Sequence, residues 1–162
     1  MPKVVPMTDM VATSAEFRLE DTARDLLEVM THLSLTALRG RRRTGDLKEV
    51  EFLALAILSQ HGTMIVGDIQ KLLGVLPAQM SRIIRSLENR DRALIACHIN
   101  SRDKRKVDVV ATTAGEKALF EYQQARTSRL LTVLRELPEE DQQTLARLVE
   151  KLQGLLERGI HG

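Results

Sequence analysis

The sequence predicts a mainly helical protein with one short β-hairpin. Three observations carry that prediction. The first is an apolar stripe at helical spacing, Met80, Ile83, Ile84 and Leu87, on a segment opened by Pro77. The second is a pair of β-leaning runs, residues 94–99 and Val107–Ala111, on either side of the polar stretch 100–106. The third is composition. With no Trp, one Tyr and three Phe in 162 residues, the core must be built from Leu, Ile, Val, Ala and Met, a mix that favours helices.

The stripe has an opposite face made of Ala78, Gln79, Arg82, Arg85 and Ser86, without a carboxylate. Upstream, Val66–Leu73 reads as a short helix closed by Gly74 and a tight Val75-Leu76 turn. Pro77 suits the first position of the next helix, since its fixed φ fits and its missing N–H is not needed there. Two short helices joined by a Gly-bearing turn form a helix-turn-helix. The polar stretch Asn100-Ser101-Arg102-Asp103-Lys104-Arg105-Lys106 then carries four cations and one carboxylate between two strands. Helix-turn-helix followed by a basic two-stranded hairpin is a winged helix-turn-helix, assigned to residues 46–112.

The same residues resemble a known family. Asp103-x-Arg105, then Val107, Val109 and Val110, then Thr112-x-x-Gly115 is similar to the wing of the MarR (multiple antibiotic resistance) regulators, and Leu87-Glu88 resembles the exit of their recognition helix. The resemblance covers about residues 47–118. It departs from the pattern at Gln70, where many such units place Ala, and at Leu76, where Ser or Thr usually caps the recognition helix. It departs again near Ala93, where a Gly is usual, and at Ala96-Cys97-His98, where the first strand is usually rich in Arg.

Taken in order, the chain begins with residues 1–15, two prolines and no sustained period, read as a mobile arm. Leu19, Ala23, Leu26, Met30, Leu33 and Ala37 then step by 4, 3, 4, 3 and 4, a heptad-like seam on a long helix. That seam packs either within one subunit or, as its length favours, against a second chain. Arg39-Gly40-Arg41-Arg42-Arg43 follows, either a solvated loop or a phosphate contact. Asp46 and Glu49 resemble a capping box, so a buried helix is expected from Leu47 to His61-Gly62. Thr113-x-x-Glu116 is a second box, with Thr112 as a rival cap. Pro138 and Glu139-Glu140-Asp141 open a last helix whose stripe includes Leu148, Leu152 and Leu155. Residues 16–45 and 113–162 are thus expected to form a helical dimerisation lobe, as the resemblance also implies.

Net charge is only +2, yet residues 76–106 hold eight cations against three anions, a basic patch on a nearly neutral chain. A single cysteine, Cys97, excludes an internal disulfide framework and fits a reducing compartment. The chain has no apolar run approaching a membrane span and no secretory h-region, so a cytoplasmic protein is expected. Catalysis needs a constellation, and none assembles. His32, His61, His98 and His161 make no metal-binding pair, there is no phosphate loop or nucleophile elbow, and Cys97 and His98 would face opposite sides of a strand.

The reading that follows is a homodimeric, DNA-binding transcriptional regulator, a repressor rather than an activator, with no enzyme activity, metal or cofactor. Gln79, Ser81, Arg82 and Arg85 are the major-groove candidates, Gln79 for adenine and the arginines for guanine or phosphate. Arg102, Lys104, Arg105 and Lys106 supply the wing, where the resemblance places Arg105 against the minor groove with Asp103 orienting it. The resemblance also implies a cleft for a small aromatic or anionic effector between the winged and helical lobes. Two alternatives stand beside it: a helical adaptor that holds another protein through a degenerate winged domain, and a regulator switched by oxidation of Cys97.

Overall fold

The computed structural model describes residues 7–38 and 46–159, with side chains placed over 18–35 and 46–158. Its contacts divide the chain into two compact units, Met1–Arg43 and Thr44–Gly162. The first unit is a single helix, α1 (Met7–Leu38), 32 residues long and about 48 Å at 1.5 Å per residue. Helix therefore extends back through most of the segment read as an arm. Ala12 and Ala15 favour helix without being periodic. Residues 1–6 and the Arg39–Arg43 cluster lie outside the described residues. On α1 the seam residues Leu19, Ala23, Leu26, Met30 and Leu33 are all solvent-exposed in the single chain.

The second unit contains α2 (Glu49–His61), β1 (Met64–Ile65), α3 (Val66–Leu73), α4 (Pro77–Glu88), β2 (Ile95–Ile99), β3 (Val107–Ala111), α5 (Thr113–Leu134) and α6 (Glu139–Gly159). α2 begins two residues later than the sequence suggests. The capping bond is made not by Asp46 and Glu49 but by Glu51, whose carboxylate accepts the Lys48 backbone N–H at 2.9 Å. Leu47, freed from the helix, turns into the core. α2 ends at Gly62, with φ of +74°, a conformation that a side chain would strain.

Ala54, Leu55 and Leu58 of α2 meet Ile69 of α3, Met80, Ile83 and Leu87 of α4, and Ile95 and Val109 of the sheet in one aliphatic core. Three of the four stripe residues on α4 are fully buried and Ile84 is half-buried, so the inward face is the one the periodicity assigns. The sheet has three strands in the order β1-β3-β2, all antiparallel, with Met64 opposite Val109 and Cys97 opposite Val109 on the other side. The sequence predicts only two. β1 is two residues long, too short to show alternation, and it exists because β3 offers it an edge.

Past the wing, Thr112 and not Thr113 caps α5. Its hydroxyl accepts the Gly115 N–H at 3.1 Å and donates to the Ala93 carbonyl at 2.6 Å. Gly115 packs so closely on the Leu94 carbonyl that an added Cβ would lie 2.0 Å from its oxygen. The front half of α5 continues the winged core instead of starting a separate lobe. Leu119 is buried, Phe52 and Tyr122 stack with centroids 4.4 Å apart, and Glu49 accepts the Tyr122 hydroxyl at 2.7 Å and is ion-paired with Arg126. Glu116, the expected partner in a box with Thr113, instead accepts the Ser59 hydroxyl at 3.0 Å. Farther along, Leu130, Leu131 and Val133 of α5 and Leu148, Leu152 and Leu155 of α6 are exposed.

Candidate nucleic-acid interface

α4 stands between the core and solvent. Its inner stripe fixes its rotation about its own axis, so Ala78, Gln79, Ser81, Arg82 and Arg85 face outward. Ser86 does not. It is half-buried, and its hydroxyl donates to Glu51 Oε1 at 2.5 Å. Arg90, just beyond the helix, donates to Glu51 Oε2 at 2.7 Å. Ser86 and Arg90 therefore serve to hold the helix, and they leave the patch of cations available to a ligand.

Glu51, only 1% exposed, is the residue that the sequence does not single out. It reads as one more carboxylate in a first helical turn. In the fold it accepts from Lys48, Ser86 and Arg90 at once, joining the start of α2 to the end of α4. A buried carboxylate survives only with its lone pairs so satisfied. The pattern Glu51…Ser86-x-x-x-Arg90 is its sole trace in the sequence, and the long separation hides it.

Two of the outward groups are already engaged. Gln79 occupies the third helical position and its Oε1 accepts the Leu76 backbone N–H at 3.1 Å, the half of a capping box that does not need a Ser or Thr at the cap. The Ser81 hydroxyl donates to the Pro77 carbonyl at 3.1 Å. Arg82 and Arg85 enter no ion pair among the described residues. They sit i and i+3, one turn apart on one face.

The wing tip is held by its own polar side chains. Asn100 Oδ1 accepts the N–H groups of Arg102 and Asp103, both at 2.9 Å, while its Nδ2 donates to Asp108. Asp103 Oδ1 accepts from the Arg105 backbone N–H at 3.1 Å and from Arg105 Nε at 3.2 Å. The Arg105 guanidinium, then its backbone N–H, holds the Asp103 carboxyl below its ordinary range, with Lys106 adding to the effect against a small opposing desolvation. Asp103 thus orients Arg105, as the resemblance implies, while Arg102, Lys104, Arg105 and Lys106 all remain exposed.

Cys97 is half-buried on β2, and burial, followed by the charge of and hydrogen bond to Glu88, pushes its thiol up from the ordinary value. Reactive cysteines have the opposite environment, one that favours the thiolate. Among the described residues no three potential metal ligands come together, and no described helix is long and apolar enough to cross a membrane. A cleft of about 280 Å³ lies between the start of α2 and α4, lined by Lys48, Glu51, Gln79, Arg82, Ile83 and Ser86. It sits inside the winged domain and touches the outward face of α4.

Residues 47–107 match the model of the MarR family, the stretch that runs from the start of the buried core through the wing loop to the first residue of β3. Over that stretch the chain is similar to the MarR family. The MarR-type match extends beyond that segment. The chain is 25% identical over 139 residues to the transcriptional repressor MdtR of Bacillus subtilis, covering 86% of this chain and 88% of the relative. Transcriptional regulator Tm0710 of Thermotoga maritima shares the fold with a TM-score of 0.68 at 20% identity, over 88% of this chain and 99% of that one. A variant of the Staphylococcus aureus regulator MepR, solved bound to an oligodeoxyribonucleotide, matches with a TM-score of 0.58 at 23% identity, over 82% and 97%. MarR proteins are transcriptional regulators and not enzymes, and the MarR wing and helix-turn-helix are the parts of this chain that the match covers most closely.

Proposed function

We propose that this MarR-family, DNA-binding transcriptional regulator acts as a repressor, working as a homodimer on a pseudo-palindromic operator. One observation carries the reading. The outward face of α4 presents Arg82, Arg85 and the amide of Gln79 to solvent, while the opposite face is locked into the core. A helix so held can enter a major groove without rearranging, and its cations meet base edges or phosphates. The exposed wing cations extend the same positive surface to the backbone or minor groove. The named repressor MdtR and the oligonucleotide complex of MepR support the reading by likeness.

Dimerisation through residues 16–45 and the helices after the wing is supported by their exposed Leu and Met residues, an area that water alone covers in the single chain. Two copies would set two recognition helices about one duplex turn apart. For the small aromatic or anionic effector, expected between the winged and helical lobes, we propose instead the cleft between α2 and α4, whose Lys48 and Arg82 would meet a carboxylate or phenolate. Such an effector would lower DNA affinity only by preferring a dimer unable to bind, since equal affinity for both states shifts nothing.

The test is selection of bound fragments from a random duplex pool, followed by titration of the selected and an unrelated duplex over a range of salt. Selective binding whose log affinity falls linearly with log salt is expected. A protein that retains no duplex above background at low salt would instead be the adaptor, holding a protein through its winged domain.

A further inference from the structure

Leu76 is 69% exposed, the large aliphatic side chain at the turn leading into α4, and it stands among outward-facing polar and cationic groups. Its backbone already does the structural work at this position, since its N–H goes to Gln79 Oε1 at 3.1 Å and its carbonyl accepts the Met80 N–H at 3.0 Å. Nothing in the fold calls for its side chain to be apolar. We propose that Leu76 is a specificity-determining residue that packs on the C5-methyl group of a thymine in the major groove. The assignment rests on the DNA-binding reading above and deepens it.

The polar neighbours narrow what this face can read. Only the oxygen of the Gln79 amide can accept an N–H, so the Leu76 bond fixes the amide's orientation and leaves the two Nε2 hydrogens and one Oε1 lone pair as its free groups. Arg82 and Arg85 are donors only, and the Ser81 hydrogen is committed to Pro77. The face therefore offers mostly donors and an apolar side chain, with the Ser81 lone pairs and the second lone pair of Gln79 Oε1 as its acceptors. Base edges that present acceptors and a methyl group are those of guanine and thymine. The pairing of Gln79 with adenine expected from the sequence uses the same amide oxygen, which is already shared with the Leu76 N–H. Residues at the start of a recognition helix are the ones that come nearest the base edges, which puts Leu76 within reach of a methyl group.

Deoxyuridine keeps every hydrogen-bonding group of thymidine and lacks only the methyl. In the selected operator, each thymine is replaced in turn and the affinity of the full chain is measured, for the unsubstituted protein and for Leu76→Ala. One thymine in each half-site is expected at which deoxyuridine weakens the unsubstituted protein about fourfold, the loss of one buried methyl group. In Leu76→Ala the same replacement is expected to have no effect, while the cap survives because it uses backbone atoms. The proposal is overturned if every deoxyuridine duplex binds the unsubstituted protein as tightly as the parent, or if Leu76→Ala keeps the full loss at that thymine. Absence of selective binding by the unsubstituted protein on the parent operator overturns the regulator reading itself, and this assignment with it.

Discussion

Arg82 and Arg105 carry the same charge, but their settings give them different work. Arg82 lies on a helix whose rotation the core fixes, so its guanidinium addresses one place in a groove. Bidentate contact with guanine would make Arg82→Ala cost about 1–3 kcal/mol on the operator and relax preference at one position per half-site. Arg105 lies on a hairpin tip, oriented by Asp103, and reaches the backbone and minor groove, where A·T and T·A present the same acceptors. Arg105→Ala is therefore expected to weaken operator and unrelated duplex by similar factors and to lower the salt slope by about one unit. Titrating both variants on both duplexes at several salt concentrations separates the roles. Equal weakening of the two duplexes by Arg82→Ala would make it a phosphate anchor.

At the scale of elements, the join between α2 and α4 is the critical one, because it sets where the recognition helix points. Glu51 makes that join with an almost fully buried carboxylate whose partner Arg90 is itself largely covered. Removing one member of a buried pair typically costs about 3–5 kcal/mol. Glu51→Ala is expected toward the lower end, roughly 3 kcal/mol, because Arg90 keeps some access to water. Urea denaturation measures it, and a loss below about 1 kcal/mol, the worth of a surface pair, would show that the join is held by packing alone. The elements themselves were largely legible in the sequence: α3, α4 and β3 have the expected ends because Gly74, Pro77 and the alternation of Val107 and Val109 each impose a local geometry. The Asp103–Arg105 pair was legible for the same reason, since its partners lie two residues apart. Glu51 with Ser86 and Arg90, the pairing of β1 and the choice of Thr112 over Thr113 were not. Each is settled by a contact between residues far apart in the chain, and periodicity carries no information about such contacts. Gly115 is intermediate. Its place after Thr112 is visible, but the reason, the carbonyl of Leu94 where a Cβ would go, appears only in the fold.

For the whole molecule, the exposed seam on α1 and the leucines of α6 are the features that a single chain leaves unexplained. Leu26 and Met30 are 49% and 57% exposed, on one face of a helix of 32 residues. Each apolar side chain buried in an interface contributes about 1.5–3 kcal/mol. Replacing Leu26 and Met30 together by Glu is thus expected to yield monomers, read by sedimentation, with selective duplex binding lost in proportion. A stable, fully dimeric double variant would exclude this seam as the interface.

The anchoring of α5 has a mechanical consequence. Its first turns are clamped to the wing's base by Thr112 and Gly115 and to α2 through Tyr122 and Arg126, whereas its last turns end in exposed Leu130, Leu131 and Val133. Of the 22 residues in α5, those as far as Arg126 are gripped, and the stretch 127–134 runs on beyond the grip for about 12 Å. It is a lever arm with its fulcrum at that grip. A pivot of about 5° at the last grip moves the free end by roughly 1 Å over that length. Read in reverse, a push on the free end would be delivered through the same grips to α2 and the base of the wing.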